Sequence, residues 1–134
     1  MKYIRTKDGK IIDTSNKYLN FVSKEEYLNQ VKENREGLII SHIENNVWYC
    51  YCEEDGDVEW KYEILNQADT IEELCDELVV VFNTRPPKPV VCGYSISQAK
   101  LYAGNTGKIY GAIWTDKGLI YVAKMNDKGE LELL

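Results

Sequence analysis

Val47-Trp48-Tyr49-Cys50-Tyr51-Cys52-Glu53-Glu54-Asp55-Gly56-Asp57-Val58-Glu59-Trp60-Lys61-Tyr62-Glu63-Ile64 carries the clearest structural signal in the chain. Two β-forming runs flank an acidic turn, whose Asp55-Gly56 step supplies the positive φ of a tight hairpin. After the turn, Val58, Trp60, Tyr62 and Ile64 alternate with Glu59, Lys61 and Glu63, the period-2 pattern of an antiparallel strand buried on one face. Before it, residues 47–52 are apolar at every position, so both faces need cover: core on one side, and a helix, a second subunit or a ligand on the other. Upstream, Asn45-Asn46 is a turn that pairs this run with residues 38–43.

The same signals recur outward. Lys7-Asp8-Gly9-Lys10 separates Tyr3-Ile4 from Ile11-Ile12, and Asp116-Lys117-Gly118 separates residues 109–115 from 119–125. Asn126-Asp127-Lys128-Gly129 leads into Leu131 and Leu133. Two segments read as helices. Ser23 with Glu26 forms a capping box opening a helix over 25–35, with Tyr27, Leu28 and Val31 inward. Thr70 with Glu73 forms a second, after which Ile71, Leu74, Cys75 and Leu78 fall at i, i+3, i+4 and i+7. A short helical turn is expected around 97–102. The fold class is α+β, mainly antiparallel β-hairpins or a meander with two helices packed on the sheet.

At 134 residues the chain suits a single domain spanning 1–134, without a clear internal repeat. Pro86-Pro87-Lys88-Pro89 makes the 84–90 region a stiff loop or a hinge. The longest apolar runs fall far below the ~18–20 residues that span a bilayer. The first residues, Met1-Lys2-Tyr3-Ile4-Arg5-Thr6, lack the apolar region of a signal peptide, so a cytoplasmic location is expected, with no membrane partner. Cys50, Cys52, Cys75 and Cys92 are then expected as reduced, metal-free thiols, since Cys50-Tyr51-Cys52 has no second ligand pair.

Charge is unevenly distributed. The net charge is −6, but residues 44–78 hold twelve acidic side chains against Lys61 alone, a net of −11. The candidate docking face comprises Glu53, Glu54, Asp55 and Asp57 at the hairpin tip, and Glu72, Glu73, Asp76 and Glu77 on the expected helix over 71–78. Such a face repels phosphate and steers a basic protein surface, so direct nucleic-acid binding is disfavoured. Trp48, Tyr49 and Tyr51 are candidate aromatic interface residues, because tyrosine and tryptophan dominate binding hot spots. They raise the prospect of a homo-oligomer.

Catalytic and metal motifs fail on their spacing. Counted from Asp55, the calcium-loop positions 6 and 12 are Trp60 and Asn66, where glycine and glutamate are required. Gly107-Lys108 is followed by Ile109, where a P-loop needs Ser or Thr. The one histidine, His42, has no nucleophile nearby in sequence. No catalytic residue, metal or cofactor is expected.

Three stretches resemble small proteins of phages and prophages of Gram-positive bacteria that carry no assigned reaction. They are the opening Met1–Gly9, the segment from Gln67 to Glu77 that includes Ala68-Asp69-Thr70-Ile71-Glu72-Glu73-Leu74, and the end from Tyr110-Gly111-Ala112-Ile113-Trp114-Thr115 to Leu131. The resemblance implies a phage accessory protein acting in a bacterial cytoplasm. With the acidic block it leads to one expectation: a non-enzymatic anti-defence inhibitor that binds a basic host protein surface. The alternative is an oligomeric protein that binds or sequesters a small molecule such as a nucleotide, through aromatic stacking and Arg5, Arg85, Lys100 or Lys108.

Overall fold

The computed structural model describes residues 2–53, 57–93 and 95–134. Among the described residues it is mainly β, with two helices and ten mostly antiparallel strands in two five-stranded sheets. The chain divides into two compact units, residues 1–67 and 68–134. Of the 84–90 segment, residues 84–87 are loop and 88–90 belong to a strand, all within the second unit, so the division does not fall there.

The first unit runs β1 (Tyr3–Thr6), β2 (Ile11–Asp13), α1 (Lys24–Glu33), β3 (Ile39–Glu44), β4 (Val47–Glu53) and β5 (Asp57–Ala68), in sheet order β2-β1-β5-β4-β3. The hairpin that dominates the sequence is present: β4 and β5 pair from Val47↔Glu63 to Glu53↔Asp57. Its tip, Glu54, Asp55 and Gly56, lies outside the described residues. Asn45 and Asn46 both take positive φ, 50° and 61°, as the two-residue turn between β3 and β4 requires.

Both faces of β4 are covered within its own unit. On one face Trp48 and Cys50 join Ile4 and Ile64 under Leu19 and Phe21. On the other, Tyr51 joins Tyr27 of α1 with Leu38 and Ile40. α1 starts where the Ser23 hydroxyl accepts the Glu26 N–H at 3.2 Å and ends at Asn34 in the left-handed region. Tyr27 is its buried residue and Val31 packs beside it, but Leu28 is exposed, contrary to expectation.

The second unit runs through a 3-10 turn (Glu72–Leu74), β6 (Glu77–Phe82), β7 (Lys88–Val91), α2 (Ile96–Ala103), β8 (Gly107–Thr115), β9 (Gly118–Met125) and β10 (Leu131–Leu133), in sheet order β10-β9-β8-β6-β7. The helix expected over 71–78 is therefore not formed. Its first turn is a 3-10 turn, and Leu78 opens the run Leu78-Val79-Val80-Val81, which becomes β6 between β7 and β8. A short apolar run fits a helix stripe and a two-sided buried strand equally well, and β-branched side chains favour the strand.

The second helix lies later in the chain. α2 presents Ala99 and Ala103 to the sheet, packed with Leu78, Val80 and Ile109. These small residues bring it so close that a Cβ on Gly107 would lie 2.7 Å from Val80 Cγ1 and 3.0 Å from Ala103 Cα. Both units thus share the element order ββαβββ, a repetition that the side chains conceal. They differ in closure: β1 is flanked by the last strand of its unit, whereas β6 is flanked by β8, the first strand after its helix.

Candidate functional site

The carboxylates expected to form a docking face are largely engaged inside their own units. In the first unit, Glu53 Oε2 accepts the Gly37 N–H at 2.9 Å, and Asp57 Oδ1 accepts the Tyr51 hydroxyl at 2.8 Å. Neighbouring Glu59 accepts the Tyr27 hydroxyl at 2.6 Å, and Glu44 pairs with Lys24 at 2.8 Å. Glu54 and Asp55 lie outside the described residues.

In the second unit the four carboxylates stand on a 3-10 turn and the start of a strand, so they do not share a helix face. Glu72 Oε1 accepts the Ile96 N–H at 3.2 Å, capping the first turn of α2. Asp76 Oδ2 accepts the Trp114 N–H at 2.8 Å, and Glu77 Oε1 faces Trp114 Nε1 at 3.5 Å. Glu73 is exposed, and its backbone N–H donates to Thr70 Oγ1 at 3.4 Å, the half of the capping box that survives in the 3-10 turn.

The aromatic candidates Trp48 and Tyr51 are each 4% exposed and belong to the core of the first unit. Trp48 stacks on Tyr62 at 4.5 Å, and half-buried Tyr49 stacks on His42 at 4.7 Å. Cover that an interface partner was expected to supply comes from Phe21, Leu19 and α1.

Burial, and then the bond to Asp57, pushes the Tyr51 phenol up to about 12. The Tyr27 phenol rises for the same reasons, with Glu59 as acceptor. His42 lies between the Tyr27 ring at 4.3 Å and the Tyr49 ring, and burial holds its imidazole below the ordinary value. It is packed as a core ring. Among the described residues no group of three or more His, Cys, Asp or Glu side chains converges as a metal would need, and no helix is long and apolar enough to cross a membrane.

What the fold brings together is basic. A cleft of about 350 Å³ in the second unit is lined by Lys100, Lys108 and Lys124, with Gly104, Asn126 and Asp127 among its other walls. Lys100 comes from the last turn of α2, Lys108 from the start of β8 and Lys124 from the end of β9. None of the three makes an ion pair among the described residues, whose pairs join Lys7–Glu63, Lys10–Asp8, Lys24–Glu44 and Arg35–Glu33.

The carbonyl end of α2 points into this region, equivalent to roughly half a negative charge. Asp127 stands in the cleft wall and Glu132 lies opposite Lys124 on β10, so three lysines meet two carboxylates and the helix end around the cleft. Sequence reading named Lys100 and Lys108 but missed Lys124, which is 16 residues from Lys108 and joins it only through the β8–β9 pairing. Arg5 belongs to β1 in the other unit, and Arg85 to the loop between β6 and β7.

The chain is therefore a mainly β protein of two ββαβββ units whose second unit carries a lysine-lined cleft. No family model, curated protein or solved structure matches it.

Proposed function

We propose that the protein is a non-catalytic binding protein that takes up a small phosphorylated molecule in the cleft of its second unit. The carrying observation is the convergence of Lys100, Lys108 and Lys124, without ion-pair partners among the described residues, on one concave site. Ammonium groups are suited to this: each is a compact point charge with three donors. An ammonium about 4 Å from a phosphate charge contributes about 1 kcal/mol in water, and more as the local dielectric falls. Three exposed lysines therefore support binding in the micromolar to millimolar range. The ligand would supply the ion pairs that these lysines lack among the described residues.

The test is a denaturation titration of the full chain with inorganic triphosphate at constant ionic strength. Binding to the native state alone stabilises by about 2.7 kcal/mol at a hundred times Kd. The double variant Lys100→Gln/Lys108→Gln should remove most of that gain. Equal stabilisation by chloride at matched ionic strength, or an unchanged response in the double variant, would sink the reading.

A second reading is a phage accessory protein whose acidic surface blocks a basic host protein. It is favoured by the exposed carboxylates Asp57 and Glu59, which Tyr51 and Tyr27 hold in place from the core of the first unit. Charges fixed in this way lose less side-chain freedom on docking than free ones. Captured host proteins whose association depends on salt and slows in Asp57→Asn/Glu59→Gln would favour it over the phosphate reading.

A further inference from the structure

We infer that the first unit binds an extended, basic segment of a partner protein as an added strand on the open edge of β5. This rests on the second, acidic-surface reading, gives it a mode of docking, and does not involve the lysine cleft.

β5 is the middle strand of its sheet, but only part of it has neighbours on both sides. β4 flanks it from Asp57 to Glu63. The strand then runs on to Ala68, past the last β4 partner, and its neighbour there is β1. β1 ends at Thr6; the Lys7 N–H donates to Glu63 O at 2.9 Å, and the chain turns away through Asp8-Gly9. Among the described residues no strand therefore flanks 57–62 on the β1 side. Exposure agrees. Residues 57–61 are all exposed, Trp60 by 55% and Val58 by 39%, although they belong to the middle strand of five.

Backbone polarity fixes what this edge offers. Successive residues of a strand send their N–H and C=O to opposite sides. Glu63 O faces β1, while the Ile64 N–H donates to Asn46 O on the β4 side at 2.9 Å. By alternation, Asp57, Glu59 and Lys61 present N–H and C=O outward, whereas Val58, Trp60 and Tyr62 bond to β4. Open edges of this kind accept another chain as an extra strand. Main-chain bonds then give affinity, and alternate side chains give specificity.

The side chains select the occupant. An antiparallel segment sets apolar residues opposite Trp60 and Val58, in the closer, non-hydrogen-bonded pairing. Its alternate residues meet Asp57, Glu59 and Lys61. The two carboxylates are held in place by the Tyr51 and Tyr27 hydroxyls, at 2.8 and 2.6 Å. Lys61 lies near the Tyr49 ring, its ammonium 5.8 Å from the centroid. Complementarity therefore calls for two cations and one anion separated by β-branched residues. Glu-Val-Lys-Val-Arg fits, with its Glu facing Lys61, its Lys facing Glu59 and its Arg facing Asp57.

The experiment is fluorescence anisotropy of a labelled peptide, Thr-Glu-Val-Lys-Val-Arg-Thr with blocked ends, titrated with the full chain at physiological salt. Saturable binding is expected, and a peptide with all three charges reversed should bind about tenfold more weakly. N-methylation of the peptide Lys, whose N–H meets Glu59 O, should abolish binding. N-methylation of the valine opposite Trp60, whose N–H points away, should change little. Lys61→Pro removes one outward N–H and leaves the β4 ladder intact, so it should weaken binding about tenfold or more with an unchanged circular dichroism spectrum. If that variant loses its fold, the two methylated peptides decide. Equal binding of both, weakened by Asp57→Asn/Glu59→Gln, would overturn strand addition and leave the acidic-surface reading standing. No binding of the parent peptide would overturn strand addition, while host-protein capture tests the wider reading separately. A dimer of the natural chain in sedimentation, dissociated by Lys61→Pro, would put a second copy on the edge and overturn the partner assignment.

Discussion

Gly111 provides a sharp test of the packing in the second unit. It is buried on β8, and a Cβ built on it would lie 2.6 Å from Cys75 Sγ and 3.4 Å from both Ala123 Cβ and Leu131 Cδ1. Its φ lies outside the left-handed region, so alanine is not strained by backbone conformation. Two effects oppose each other in Gly111→Ala. Loss of unfolded-state freedom stabilises by about 0.4–1 kcal/mol. Forcing a methyl against the sulfur costs about 1–3 kcal/mol. The clash wins, with a net loss of about 1–2 kcal/mol. If the sulfur is the cause, Cys75→Ala should reverse the outcome. That single change costs about 1 kcal/mol, a typical core-edge truncation. In its background Gly111→Ala meets only ordinary contacts and becomes neutral or slightly stabilising. The double-mutant cycle should therefore show a favourable coupling of about 2 kcal/mol, within the range for touching residues. Urea denaturation of the four proteins, at equal m-values, measures it. Gly111→Ala with undiminished stability in the natural background, or the same loss with and without Cys75, would refute the placement of the 3-10 turn and Cys75 against β8.

Two further predictions concern pH. His42 is held below its ordinary value chiefly by burial, and Lys24 adds to the effect while Glu44 and Glu59 oppose it. The unfolded chain therefore binds a proton near pH 6.5 that the folded chain takes only at lower pH, so stability should fall as pH drops below about 6.5. His42→Phe, which keeps a ring between Tyr27 and Tyr49, should flatten the denaturation midpoint between about pH 6.5 and 5, above the main carboxylate titrations. Tyr51 has its folded value raised to about 12 from 10, so its contribution is complete below pH 10 and is lost as pH rises towards 12. Tyr51→Phe should be less stable than the natural chain at pH 8, with the gap closing between pH 10 and 12; a constant gap across that range counts against the Tyr51–Asp57 bond.

Much of the strand layout was legible in the residues themselves, because hairpins are local. Asn45-Asn46, Asp8-Gly9, Lys117-Gly118 and Lys128-Gly129 mark turns that the structure forms, but the alternation in β5 buries only its later half. Ile64 is buried and Tyr62 half-buried, whereas Val58 and Trp60, expected inward with them, are exposed because no described element covers that end of the strand's face. α1 was legible as well, since Ser23 and Glu26 signal its start within four residues. The rest depended on contacts between residues distant in sequence. Whether 71–82 becomes helix or strand is decided by β7 and β8 flanking Val79–Val81, and a helical stripe cannot record neighbours brought in from 8 to 31 residues away. α2 escaped clear notice because its inward face is Ala99 and Ala103, chosen for close approach over Gly107, so it carries little apolar stripe. The acidic side chains looked like a free surface because sequence shows charge and not hydrogen-bond partners; Tyr51, Ile96 and Trp114 answer carboxylates 6, 24 and 38 residues away. For the candidate site, the lysines are plain in the sequence and their convergence is not. Lys124 joins Lys100 and Lys108 around one cleft only when β8 and β9 pair.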